Sequence, residues 1–139
     1  MRGLLVDENL QGHLRVLRRL FKQLELQPFL DDARLELRTF AEIGFSRDLD
    51  DRSVWIRCQR EGWVLFTENR NLEGPNSLQA VLEDSWKVGN FPVVTLANKS
   101  KFQRDGRYAL QVAAEVADIL IGITLGEFLD QPRIFVPRD

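Results

Sequence analysis

At 139 residues, with 44% hydrophobic and 29% charged side chains, the chain has the makings of one ordinary globular domain spanning residues 1–139. A chain of this length buries roughly 68% of its unfolded surface and needs no staples, and its single cysteine, Cys58, excludes an internal disulfide framework and suits a reducing, cytoplasmic setting. The net charge of -2 excludes a chain-wide field that draws nucleic acid, so any phosphate contact has to come from local patches.

Gly3 to Val6 is a short apolar run that stops at Asp7, the pattern of a strand buried on both faces. Asn9 is placed to cap a helix running to about Glu25, in which Leu10, Leu14, Leu17, Phe21 and Leu24 make one apolar stripe. His13 falls on the apolar side of that helix, and Arg15, Arg18, Arg19 and Lys22 fall on the opposite face. Pro28 is expected to end the region. Leu35 to Phe40 alternates as a second strand, and a loop leads to a helix opened by Asp51 or a neighbour. That helix is expected to run to about Glu61 with Val54, Trp55 and Cys58 inward and Gly62 as its stop.

Trp63 to Thr67 reads as the third strand, followed by a polar run. Ser77 then caps a short helix, and residues 91–96 form a fourth strand with Pro92 near its start. Residues 97–106 read as a polar loop, followed by a long helix rich in alanine and aliphatics and a last short strand at Ile134 to Val136. No apolar run is long enough to span a bilayer. Strands alternating with helices predict an α/β domain: a three-layer α/β/α sandwich around a mainly parallel sheet.

In such a sheet the carboxyl ends of the strands carry the chemistry. Asp7 closes the first strand, Asp51 follows the second, and Asn69 and Asn71 follow the third. Hard cations such as Mg²⁺ or Mn²⁺ take oxygen ligands, typically one or two carboxylates with waters and a substrate phosphate, and such ions serve phosphodiester cleavage. Lys99, Lys101 and Arg104, with Arg107, form a basic cluster at the end of the fourth strand, suited to guiding a phosphate chain, as is Arg70 between the two asparagines.

The run Leu4-Leu5-Val6-Asp7-Glu8-Asn9-Leu10, an Asp51 that opens a helix, Gly62, and a strand ending in Thr67-Glu68-Asn69-Arg70-Asn71 together resemble the small PIN-like family of ribonucleases that serve as toxins of toxin–antitoxin pairs. The likeness covers about the first 75 residues. It implies a PIN-like fold, Mg²⁺ or Mn²⁺ as cofactor, RNA as substrate and a small antitoxin-like protein as partner. It implies Asp7, Asp51, Asn69 and Asn71 as the catalytic set, with Asp7, Asp51 and Asn69 on the metal. The family carries two aspartates where this chain has Asn69 and Asn71, which offer carbonyl oxygens but no charge. Glu8 and Glu68 stand beside the set, although Glu68 is one residue out of phase on an extended chain.

Two carboxylates about 6 Å apart at an effective dielectric of about 20 repel by about 3 kcal/mol. Two neutral asparagines remove most of that repulsion, so the fold is expected to be stable without metal. Plainer roles stay open for the same residues: capping for Asp7 and Asp51, turn formation for Asn69 and Asn71, ion pairing for Arg70, a packed structural role for His13. So does another function, a catalytically inactive module that binds RNA or protein. Trp55, Trp63 and Trp86 read as core or as the interface of a homodimer.

Overall fold

The computed structural model describes residues 1–46, 48–68 and 74–138. Five strands, β1 (Gly3–Val6), β2 (Glu36–Thr39), β3 (Trp63–Thr67), β4 (Val93–Leu96) and β5 (Arg133–Val136), form one sheet in the order β2-β1-β3-β4-β5. Every pairing is parallel, so the sheet is all-parallel where a mainly parallel one was expected. The order reverses between β1 and β3, because the chain first builds outward to β2 and then returns to the other side of β1. Such a switch point leaves a crevice at the carboxyl edge, where α/β proteins place ligands.

Six α-helices cover the sheet: α1 (Gln11–Gln23), α2 (Gln27–Asp32), α3 (Asp51–Glu61), α4 (Leu78–Ser85), α5 (Lys99–Arg104) and α6 (Gly106–Thr124). Alternation along the strands divides the core in two. Leu4 and Val6 of β1, with Val64 and Phe66 of β3, face a cluster that includes Leu14, Leu17 and Phe21 of α1 and Val112, Val116 and Ile119 of α6. Leu5, Trp63 and Leu65 face the opposite way, onto Val54, Trp55 and Cys58 of α3 and Val81 and Leu82 of α4. The protein is therefore a three-layer α/β/α domain. Among the described residues no helix is long and apolar enough to cross a membrane.

Local signals explain most boundaries. The Asp50 carboxylate accepts from the Ser53 amide and caps α3, and Gly62 ends that helix at φ 89°, a left-handed conformation that glycine adopts without strain. Ser77 caps α4 through its hydroxyl, which accepts from the Ala80 amide. At Gly3 (φ 152°) a Cβ would lie 1.9 Å from the Glu36 carbonyl oxygen, so only glycine lets β2 approach β1 there.

Three expectations change. Asn9 does not cap the first helix: residues Glu8–Leu10 make a single 3-10 turn, and α1 begins at Gln11. Pro28 does not end helical structure but sits in the first turn of α2, where its missing N–H costs nothing. Residues 97–106 are not a loop. Asn98 accepts from the Lys101 amide and caps α5, which Phe102, 3% exposed, pins to the core.

Candidate functional site

β1 lies between β2 and β3, so Asp7 leaves the sheet beside its centre. The register puts Val6 next to Phe66, which brings Asp7 alongside Thr67. The Asp7 amide donates to the Phe66 carbonyl at 2.9 Å, continuing the ladder by one step. The Thr67 hydroxyl donates to Asp7 Oδ2 at 2.8 Å. Thr67 is 1% exposed, so this bond sits on a rigid base. Asp7 precedes the 3-10 turn without a side-chain capping bond into it, and the Thr67 hydroxyl of the neighbouring strand fixes its carboxylate.

Asp51 reaches the same place from the other side. Asp50 takes the capping role, and Asp51, one position on, accepts from the Leu78 amide at 3.0 Å and ties the start of α3 to the start of α4. Asp7 and Asp51 both line a cavity of about 190 Å³, together with Glu8, Asn9 and Thr67 on its polar side and Phe40, Val54 and Leu65 on its apolar side. Burial raises the Asp7 carboxyl above the usual carboxylate value. The Thr67 hydroxyl and the Glu8 amide oppose that rise, and the negative charges of Asp51 and Glu68 add to it. Negative charge on Asp7 is therefore disfavoured in this cavity.

Arg52 steadies the adjacent wall. Its guanidinium donates to both Asp84 oxygens, at 3.1 and 2.7 Å, to the Pro75 carbonyl at 2.7 Å and to Asn76 Oδ1 at 3.0 Å. This clamp joins α3, α4 and the approach to α4, and it holds the Asp84 carboxyl down at about 2.

The two carboxylates expected to meet are thus on one cavity. Asn69, Arg70 and Asn71, expected beside them, lie outside the described residues. Among the described residues no cluster of three or more His, Cys, Asp or Glu side chains is present. Two carboxylates on a partly apolar, polar-floored cavity suit a hard cation that retains several waters. Hydrogen bonds from Thr67 and from the Leu78 amide orient the pair as outer-sphere partners orient ligands.

Lys99, Lys101 and Arg104 lie on α5, at the same edge of the sheet, but none of them lines the Asp7 cavity. Lys99 pairs with Glu68 at 3.5 Å. Lys101 stands 5.1 Å from the centre of the Tyr108 ring, and Arg104 borders a different cavity, between α1 and α6. His13 is buried, 6% exposed and 5.2 Å from the Phe102 ring centre. Trp55 and Trp63 are core residues, so a tryptophan-bearing surface reduces to the half-buried Trp86.

Thr67 and Arg52 were not singled out from the sequence. Part of the signal for Thr67 was present, since it closes the third strand as Asp7 follows the first, but the pairing and register that set them side by side come from the fold. Nothing in the sequence marks Arg52 over the other arginines. No family model, curated protein or solved structure matches the chain.

Proposed function

We propose that the chain is a PIN-like ribonuclease that works with Mg²⁺ or Mn²⁺ in the cytoplasm, as the toxin of a toxin–antitoxin pair. The observation that carries this reading is the shared cavity: Asp7 and Asp51 reach one pocket at the switch point of a parallel sheet. Asp7 and Asp51 hold the ion as anionic ligands, with Asn69 and Asn71 as neutral oxygen donors or water-positioning groups. When bound, the ion supplies an activated water and neutralises charge on the scissile phosphate. Thr67 and the Leu78 amide keep the two carboxylates in fixed planes, which lowers the cost of ordering them on the ion. Lys101 and Arg70 steady the RNA backbone, Arg104 standing instead on the other cavity, while Lys99 remains engaged with Glu68 and contributes mainly by balancing its charge. A small antitoxin-like protein covers the acidic cavity, and Trp86 offers a contact for a homodimer.

The donor set favours a second reading as well. With asparagine at 69 and 71, only Asp7 and Asp51 bring charge from the matching positions, and a module of the same fold that binds RNA without cleaving it accommodates that loss. Incubating total RNA with the protein and with Asp7→Asn in Mn²⁺ separates the two. Cleavage lost in Asp7→Asn supports the nuclease. Equal cleavage by both removes Asp7 from the mechanism, and retained RNA binding with no cleavage by either supports the module.

A further inference from the structure

A second cavity lies on the other face of the sheet from the Asp7 cavity. A cavity of about 370 Å³ opens between α1, α5 and the start of α6. Its walls carry Val16, Leu20, Phe102 and Ala109, and its rim carries Arg19 from α1 and Arg104 from α5. This volume is within the roughly 300–1,000 Å³ typical of small-molecule sites.

Two observations point to an anion, and a third residue completes the wall. Arg19 and Arg104 are exposed and come from separate elements, and among the described residues neither makes an ion pair or a side-chain hydrogen bond. Two unengaged guanidinium groups flanking one opening match the forked recognition of a phosphate. Gly106, the first residue of the 19-residue α6, also lines the cavity. Asp105 caps the next two amides of that helix, at Arg107 and Tyr108, which leaves the Gly106 N–H at the positive end of the helix without a capping partner. Finally, His13 forms part of the wall, is 6% exposed, and its Nε2 is buried without a hydrogen-bond partner.

We propose that this cavity is a nucleotide-phosphate site: Arg19 and Arg104 grip the phosphate, and the apolar wall of Val16, Leu20 and Phe102 takes the sugar and base, with the His13 ring beside them. The phosphate belongs either to a free mononucleotide or to a nucleotide within a strand. The site stands apart from the Asp7 cavity, with no shared lining residue.

His13 is the sole histidine, so its Cε1-bound proton gives one unambiguous NMR signal. The test is to titrate the protein, in EDTA, with inorganic phosphate, uridine 5′-monophosphate and hexauridylate while following that signal. A saturable shift with uridine 5′-monophosphate identifies a free nucleotide as sufficient, and a shift with hexauridylate alone identifies a strand phosphate. Either supports the site. Arg19→Glu and Arg104→Glu, both at exposed positions, should each weaken binding about tenfold or more. Lys22→Glu, an equal charge change elsewhere on the surface of α1, should change it less than about twofold. Val16→Phe, which fills the cavity without touching charge, should also abolish the shift, with folding checked by circular dichroism.

No shift with any of the three probes overturns the proposal. So does a shift with inorganic phosphate only, or binding indifferent to both arginine substitutions. Asp7→Asn should keep the His13 response in full. A protein that cleaves RNA yet gives no His13 response refutes this site and leaves the nuclease standing, while the opposite result does the reverse.

Discussion

Thr67→Val isolates the contact that fixes Asp7. Valine keeps the size and strand preference of threonine and deletes only the hydroxyl that donates to Asp7 Oδ2 at 2.8 Å. A hydrogen bond to a charged acceptor contributes about 1.5–3 kcal/mol, and the added buried methyl returns about 0.8 kcal/mol. The net loss at neutral pH is therefore about 1–2 kcal/mol, which for a domain of this size lowers the midpoint of thermal unfolding by about 3–6 °C. The pH dependence is more diagnostic than the size. Because burial raises the Asp7 carboxyl, the folded state keeps the proton longer than the unfolded one, and stability falls as pH climbs from the ordinary value of 3.8 through the folded value. Removing the Thr67 hydroxyl, which opposes the rise, pushes the folded value higher still. The deficit of the variant should open through that window, be complete at pH 7, and nearly close at about pH 3, where Asp7 is protonated in both states. Circular dichroism melts of the two proteins at both pH values decide the matter. Equal midpoints at pH 7, or a deficit of the same size at both, would refute the account of how Asp7 is held.

Other consequences follow from the same structure. Gly3→Ala puts a Cβ against the Glu36 carbonyl and should cost about 3 kcal/mol or more, seen as a large loss of urea resistance or of soluble protein; a native-like urea midpoint would refute the packing described. Burial pushes the Cys58 thiol up to about 12, so an aromatic disulfide reagent at pH 8 should leave the native protein unmodified and react promptly once it is unfolded. The Arg52 clamp holds the Asp84 carboxyl at about 2, a depressed value, so its contribution is present above 3.8 and lost as pH falls towards 2. The urea midpoint of Asp84→Asn should lie below that of the native protein at pH 7 and converge with it near pH 2; a constant gap would sever the clamp from stability.

Much of this architecture could be read along the chain because its signals are local. The apolar runs of β1 and β3, the Asp50–Asp51 entry to α3, its Gly62 exit and the Ser77 cap each declare themselves within a few residues. The short helices α2 and α5 did not, since six residues of ordinary propensity become helical only through what they pack on: Leu30 for α2 and Phe102 for α5. The site was legible to the same depth. That Asp7 and Asp51 would approach one another followed from their places after strands at the carboxyl edge of a parallel sheet. Which of Asp50 and Asp51 would cap and which would face the cavity depended on helical phase at a boundary, and adjacent residues at a helix start point in different directions. The separation of the α5 cations from the Asp7 cavity could not be seen without knowing that α5 is a helix on the other layer.

The placement of β1 has a consequence for how the molecule comes into being. It is made before the other strands of its sheet, yet one of its two flanking partners is β3, and the pair that fixes Asp7 spans 60 residues of sequence. The innermost row of the sheet cannot close until translation has passed Thr67, whatever the earlier helices have done. Until then Leu4, Leu5 and Val6 can pair with β2 on one side only, and their other edge stays open. A nascent chain stalled short of that point should be the species most in need of a chaperone, and one extended past β3 should need it far less.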